Sequence, residues 1–524
     1  MKLLLVNPSR GKEAQGDFWD FNFEKRILGQ TSLVPLYLPT IAGITPEDVE
    51  ISIVDEKVEE IDFDEDVDLV GIGSMTPNIK RAYEIADEFR ERGKTVAMGG
   101  IHVSMLPEEA SKHADSVVIG EAEDLWPQLI QDFKDGHLQE FYRFTHYPNL
   151  ENMPTPRYDL IKGDRYVINQ VQTTRGCPFD CEFCTVKVFS GKQFRCKTID
   201  QVIKEIEALT PYYIMNVYGY ELKLPKTLLF ADDNIVGNKS HSKKLFEALI
   251  PMRLTDWYCE ASINVGRDKE MLTMMKEAGC HAMIIGIESV NQDTLVGMEK
   301  KINKVDEYYE CIDNIQSSGI KVLGSFVLGS DSEDETIFEK TVKFIRETNM
   351  VYSMINVLTP LPGTRLFERF DLEGRLLHKD WERYSLETVC FQPKKMSPET
   401  LQEGRRWIYQ EIYSLQDVHN RYENFLKQKD NMEVKGFEES FTTMTKADKF
   451  FSGVMLMKIL YKSNSDQRKF LFNMLKRYFA GNETNFGNTI AAMSFNDYAI
   501  NIPKNGDFND EKGILNPEYD YSKN

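Results

Sequence analysis

Gln172-Thr-Thr-Arg-Gly176, followed by Cys177-Pro-Phe-Asp-Cys181-Glu-Phe-Cys184, is the stretch around which the rest of the chain is read. Three cysteines fall within eight residues, each free to turn its sulfur toward one point. Thiolates are the soft ligands that zinc and iron–sulfur clusters select. A closed zinc site takes four ligands, and no second CxxC or HxxxH partner lies nearby; Cys196 is the one close candidate for a fourth. A structural metal site is therefore the alternative reading. The spacing CxxxCxxC suggests instead a [4Fe-4S] cluster with one iron open for chemistry.

Around this loop the chain alternates strand and helix. Val167–Thr173 is strand-like and delivers the cysteines at its C-terminal end. Further strands are expected over Thr227–Ala231, Asp256–Ser262, His281–Gly286, Lys321–Val327 and Met354–Thr359. Helices are expected over Ile199–Leu209, Ser242–Leu249, Lys269–Glu277, Val305–Ser317 and Glu333–Glu347. Six β/α units imply an open, partial TIM-type barrel spanning residues 165–390, with working residues at the strand C-termini. Pro211–Tyr220 holds four tyrosines that either wall a substrate cavity or, the preferred reading, pack under a surface loop. Cys196, Cys259, Cys280, Cys311 and Cys390 read as small core residues, with Cys196 or Cys390 as candidates to reach the active site.

Residues 1–135 show a second α/β alternation. Lys2–Val6 is a buried strand closed by Asn7-Pro8, followed by strands at Val49–Asp55, Val67–Gly73, Thr95–Met98 and Ser116–Ile119. Ile79–Arg92 and Pro107–Lys112 are helical in spacing. This is a doubly wound, Rossmann-like parallel sheet, which binds ligands beyond its strand C-termini. Asn7, Ser74, Met75, Gly99, Gly100, His102, Gly120 and Glu121 collect there. The apolar segments Phe18–Phe21 and Leu33–Pro39 do not fit the alternation and are expected to pack where the domains meet. Residues 136–164, with several prolines, read as a linker.

The cysteine motif resembles that of the radical S-adenosylmethionine (SAM) enzymes. The order of parts is similar to the members that carry a cobalamin-binding domain before the barrel. The matching pieces are Asn7-Pro8, Gly73–Thr76, Gly99–His102, Gly120–Glu123, Asn152–Arg157 and Leu361–Thr364. Within that group, Gly176–Thr185 and Phe230–Gly237 resemble the hopanoid C-2 methylases. The resemblance implies that Cys177, Cys181 and Cys184 hold the cluster and that Phe183 lies beside adenine. It further implies that Asp232 and Asp233 meet the SAM amino group, that Glu260 and Ser262 lie near its ribose and methionine moiety, and that Gly286 and Glu288 pass its adenine. The implied reaction breaks SAM to a 5′-deoxyadenosyl radical, which takes hydrogen from an unactivated carbon. Methylcobalamin then supplies a methyl group; radical coupling, cyclisation or epimerisation is the alternative, and a non-catalytic electron carrier a third. The sequence departs from many cobalamin proteins in lacking an Asp-x-His-x-x-Gly loop after the first strand. His102 stands outside that context and reads as a packed histidine. Cobalamin held without a protein ligand below cobalt is the expectation; a domain that has lost its ligand and only covers the barrel is the other reading.

Composition bounds the remainder. A net charge of −20, from 83 acidic and 63 basic residues in 524, argues against nucleic-acid binding. Eight cysteines in so long a chain are no disulfide framework, and a cluster fits a reducing cytoplasm with flavodoxin or ferredoxin as electron donor. The apolar start, Met1–Val6, ends at Asn7-Pro8, too early for a signal peptide. No apolar run reaches the roughly 18 residues of a transmembrane helix. The region 391–500 is read as helical, with Leu401–Tyr422 one helix, and 501–524 as a loose tail. Lys446–Tyr478 interleaves eight basic residues with apolar ones. Such a segment either packs as an ordinary helical pair or lies on an anionic membrane surface, and a hydrophobic or amphiphilic substrate is expected.

Overall fold

The computed structural model describes residues 1–9, 31–217, 220–254, 256–428 and 464–479. Four largely apolar runs become parallel strands buried on both faces, and a fifth, alternating strand lies at the sheet edge. They are β1 (Lys2–Asn7), β3 (Glu50–Asp55), β4 (Leu69–Gly73), β5 (Thr95–Gly99) and β6 (Ser116–Ile119). The sheet order is β3-β1-β4-β5-β6-β7, all parallel. The last member, β7 (Phe141–Arg143), comes from the stretch read as linker, and pairs with Val117–Ile119. Three residues with one buried side chain leave too short a pattern to recognise. The helix Ile79–Glu91 covers one face with Ile79, Ala82, Tyr83, Ile85, Ala86 and Phe89. The opposite face takes Leu38 and Ala42 of helix Tyr37–Ile44, and Trp126, Leu129 and Ile130 of helix Leu125–Lys134.

The second sheet is the partial barrel. Its strands are β8 (Tyr166–Val171), β13 (Thr227–Phe230), β14 (Trp257–Ala261), β15 (Cys280–Glu288), β16 (Lys321–Leu328) and β17 (Tyr352–Val357), parallel and in sequential order. A seventh, β2 (Thr31–Leu33), pairs with β8 at the free edge, and Gln170 donates to the Val34 carbonyl at 2.5 Å. The chain thus leaves the first sheet, caps the edge of the second, and returns to the first as helix Tyr37–Ile44. Leu33–Pro39 does bridge the two units; Phe18–Phe21 lies outside the described residues. At the other edge, backbone groups of β17 that would face no neighbour meet side chains of helix Pro398–Ile412 and its C-cap. Tyr413 OH accepts from Ser353 N–H (2.8 Å) and donates to its carbonyl (2.7 Å). Tyr409 OH accepts from Ile355 N–H, and Arg405 donates to the Ile355 carbonyl.

Two smaller ladders complete the strands: β9 (Thr174–Arg175) with β10 (Arg195–Cys196), and the hairpin of β11 (Tyr212–Val217) and β12 (Tyr220–Pro225). The hairpin runs directly into the first residues of β13, at the end where the parallel strands begin. It therefore lies opposite the cysteine loop, and its described tyrosines, Tyr212 and Tyr213, do not wall the mouth. The single helix expected over Leu401–Tyr422 is two, Pro398–Ile412 and Leu415–Gln428. The chain breaks at Tyr413, whose hydroxyl is committed to β17. Of the basic segment, helix Ser465–Phe479 is described; it buries Leu471 and sets Phe470 edge-on to His419. Residues 446–463 lie outside the described residues. Among the described residues, no helix is long and apolar enough to cross a membrane.

Candidate functional site

The cysteine loop leaves β8 and is fixed at once by the loop after β13. Asp232, 1% exposed, accepts Thr173 N–H (2.6 Å), Thr173 Oγ1–H (2.5 Å) and Thr174 N–H (3.0 Å). The expectation that Asp232 meets a ligand amino group is thereby corrected: buried, it is engaged by two backbone N–H groups and the Thr173 hydroxyl of the loop. Asp233 accepts Gly176 N–H at 2.9 Å. Gly176 has φ +94°, and a Cβ there would lie 2.3 Å from the Gln193 carbonyl oxygen, so only glycine makes this turn.

Acidic residues between the cysteines anchor the loop from the other side. Glu182 takes Arg369 through a two-point pair (2.6 and 3.0 Å), and its N–H donates to the Met298 carbonyl. Asp180 is held by Lys187, Lys192 and Arg365, and the two lysines bring its carboxyl down to about 2. Burial pushes the thiols of Cys177 and Cys181 up, and that of Cys184 up to about 12. Among the described residues, no three His, Cys, Asp or Glu side chains converge as they would on a single ion; a cluster takes each thiolate on a different iron. Three soft donors on one braced loop fit an iron–sulfur cluster. Cys196 stands apart in β10, accepting from Asn238 at 3.6 Å, while Cys259, Cys280, Cys311 and Cys390 are buried.

Carboxylates gather at the neighbouring strand ends. Glu260 on β14 is exposed to the open mouth, yet protein surrounds it; burial, then the Asp233 charge, pushes its pKa up to about 7. Burial likewise raises Asp233 to about 6, against the pull of the Gly176 N–H. Ser262 pairs with Asn234, joining the loops after β13 and β14. Glu288, at φ +61°, forms a buried pair with Lys300 at 2.6 Å, so its carboxylate is not free for a ligand. Phe183 is half-buried against the barrel core.

The first sheet presents its strand ends toward this mouth. Arg175, two residues before Cys177, reaches Glu121 (3.0 Å) and Glu123 (2.6 Å), and Arg195 holds Glu121 at 2.5 Å. Glu121 is thus engaged across the domain boundary rather than offered to a cofactor. Met105 packs on Gly363, in the turn after β17. Asn7 is occupied by Asp55 and Tyr37; Ser74 is buried under Gly100, with Gly99 beside it, and Gly120 packs on Phe144. Met75, 63% exposed, is the large apolar side chain left open among these strand ends. His102 is fully buried, with Nδ1 at 3.2 Å from Thr76 Oγ1 and Nε2 at 3.3 Å from Glu109. Both ring nitrogens are used, so the histidine is packing, as the sequence context implied. Small residues at the ends of β4, β5 and β6 fit a flat macrocycle.

Comparison with known proteins accords with this arrangement. Residues 171–345 match the Radical SAM superfamily, 37–130 the B12 binding domain, and 364–505 a domain of unknown function, DUF4070. The bacteriochlorophyllide d C-8(2)-methyltransferase of Chlorobaculum tepidum is 32% identical over 400 residues, 74% of this chain and 87% of that protein. This chain belongs to the B12-binding radical SAM family. The hopanoid C-2 methylase of Rhodopseudomonas palustris is 28% identical over 66% of each. Solved radical SAM folds agree. OxsB with aqua-cobalamin and SAM bound gives a TM-score of 0.60 at 13% identity, over 95% of this chain and 84% of that one. TsrM with cobalamin and a [4Fe-4S] cluster bound gives 0.54 at 15% identity, over 71% and 78%. The chain is a radical SAM enzyme whose cofactors are a [4Fe-4S] cluster, SAM and cobalamin.

Sequence reasoning missed Arg175, Arg195, Arg369 and Lys300. Nothing in their local pattern separates them from other surface cations; each acquires its role from a carboxylate far along the chain.

Proposed function

We propose that this radical SAM enzyme methylates an unactivated carbon of a hydrophobic or amphiphilic, lipid-like substrate. The supporting observation is the union of the cysteine loop with the strand ends of the B12-binding domain through Arg175, Arg195 and Glu121. It sets two cofactor faces against one mouth. The relatives named above act, by name, on a bacteriochlorophyllide and a hopanoid. When bound, cluster and SAM supply the hydrogen abstraction and cobalamin supplies the methyl group.

In this reading Cys177, Cys181 and Cys184 hold the cluster, and Asp233 and Glu260 accept hydrogen bonds from the amino group of SAM. Phe183 flanks adenine. Met75, Ser74, Gly99 and Gly100 underlie the corrin. Asp232, Glu182 and Arg369 keep the loop rigid, and the packed domain boundary keeps water and stray hydrogen donors from the radical. Flavodoxin or ferredoxin delivers the electron. The basic composition of Lys446–Tyr478 supports receipt of the substrate at a membrane surface.

Anaerobically reconstituted enzyme, given methyl-labelled SAM with a hopanoid or a chlorophyllide as probe, tests the reading. Release of 5′-deoxyadenosine with label in the product is expected. No 5′-deoxyadenosine under any condition overturns the radical reading. Its release with no label transferred would favour ring formation, the activity named for the anaerobic magnesium-protoporphyrin IX monomethyl ester cyclase of Rubrivivax gelatinosus, 24% identical over 63% of this chain and 62% of that one.

A further inference from the structure

We propose that Lys300 is the fixed positive charge of the cluster site, setting how readily the cluster accepts its electron. The inference rests on reading Cys177, Cys181 and Cys184 as the cluster ligands. The Lys300 side chain is 17% exposed, an unusual position for an ammonium group, and it pairs with Glu288 at 2.6 Å, itself 7% exposed. Lysine is rarely buried unless paired, so the pair explains why the charge is tolerated. It leaves open why a charge is placed there at all.

Its surroundings supply the reason. The turn carrying Lys300 is joined to the cysteine loop, since Glu182 N–H donates to the Met298 carbonyl. Arg365 grips Glu299 on that turn and the Asp180 carbonyl on the loop. Lysine and cysteines therefore move as one body. Gly286 makes the space: a Cβ there would lie 2.5 Å from the Glu288 carboxylate and 3.1 Å from Lys300 Nζ. Gly286 thus sets the Lys300 ammonium at the C-terminal end of β15, on the turn that the cysteine loop is bonded to.

A cluster bound by three thiolates carries net negative charge, and one added electron makes it more negative. Nearby charge is among the factors that set such potentials, and it acts strongly where water is thin. A held ammonium group favours the reduced state, while Glu288 opposes it. The two members of the pair should therefore move the cluster in opposite directions. A merely structural pair would not, because breaking it from either side loosens the same turn.

The test is an electron paramagnetic resonance titration of the reconstituted cluster in full-length protein without SAM, after iron and sulfide content is matched. Lys300→Met is expected to lower the reduced-to-oxidised ratio at a fixed potential at least tenfold, which is 59 mV for a one-electron couple. Lys300→Arg should stay within about twofold of the native protein. Glu288→Gln, which leaves the ammonium uncompensated, should raise the ratio. An unchanged ratio in Lys300→Met, or shifts of the same sign in Lys300→Met and Glu288→Gln, would overturn the proposal. If Lys300→Met fails to hold a cluster, Glu288→Gln alone decides, and an unchanged or lowered ratio refutes the inference. A native protein that binds no cluster overturns the ligand reading instead. Weakened SAM binding in Lys300→Met at an unchanged potential would place the lysine on the ligand and refute its role as the charge of the cluster.

Discussion

Arg175→Met removes the cation that ties the cysteine loop to the B12-binding domain. In the native protein Arg175 contacts Glu121 at 3.0 Å and Glu123 at 2.6 Å, and the two carboxylate side chains are 1% and 5% exposed. Glu121 retains Arg195 after the substitution. Glu123 loses its ion-pair partner, and its Oε2 already makes no hydrogen bond. The variant would therefore strand a buried carboxylate, at a cost of about 3–5 kcal/mol. A unit of this size loses roughly 2–4 °C of Tm per kcal/mol, so thermal unfolding of the barrel should begin roughly 10 °C lower. Arg175→Met with Glu123→Gln should recover much of that loss, because the stranded charge is gone. Differential scanning calorimetry of the three proteins, read transition by transition because a two-domain chain need not unfold in one step, measures both effects. A shift below about 2 °C in the single variant, or no recovery in the double, would show that the ion pairs do not hold the domains together.

Four further outcomes are expected. Alanine at Cys177, Cys181 or Cys184 abolishes SAM cleavage and visible cluster absorption, whereas Cys196→Ala keeps both; equal loss at Cys196 would mean a different ligand set. Substitution of His102 leaves the Co(II) spectrum of bound cobalamin unchanged, and new or lost nitrogen hyperfine splitting would contradict its buried contacts with Thr76 and Glu109. Glu260, raised to about 7 by burial and Asp233, is more basic folded than unfolded, so its contribution to apo-protein stability is present at low pH and lost as pH rises through about 7. The amino N–H groups of SAM are accepted by the carboxylate and not by the protonated acid, so calorimetric SAM affinity should rise about tenfold from about pH 6 to about pH 8 and flatten in Glu260→Gln; a flat native profile refutes this. Tyr413→Phe leaves Ser353 N–H and C=O unpaired at the barrel edge and should cost about 1–3 kcal/mol in urea unfolding, with a cost near zero showing that water replaces the hydroxyl.

Much of the architecture was legible because it is written in local periodicity. Lys2–Val6 and Ser116–Ile119 are buried on both faces and so appear as unbroken apolar runs, while Lys269–Glu277 shows the spacing of a one-sided helix. Elements that the pattern concealed are short, or owe their existence to a distant partner. Thr31–Leu33 is a strand because Tyr166–Ile168 lies beside it, and Phe141–Arg143 because Val117–Ile119 does. Neither of these causes is present within ten residues of its effect.

The same division runs through the site. The class of chemistry was legible in the sequence alone, because three thiols at CxxxCxxC spacing on one loop carry the resemblance to radical SAM enzymes without any distant partner, and strand-end residues follow from the alternation of elements. Which carboxylate does what was decided only by tertiary structure. Asp232 and Asp233 are adjacent in sequence and alike in chemistry, yet one faces Thr173 and Thr174 while the other borders the mouth. Glu121 meets arginines 54 and 74 residues away, and Glu288 meets Lys300 over a glycine. A carboxylate's role depends on which cation or N–H lies within about 3 Å and on how much water remains, and those distances exist only once the two sheets have closed on each other.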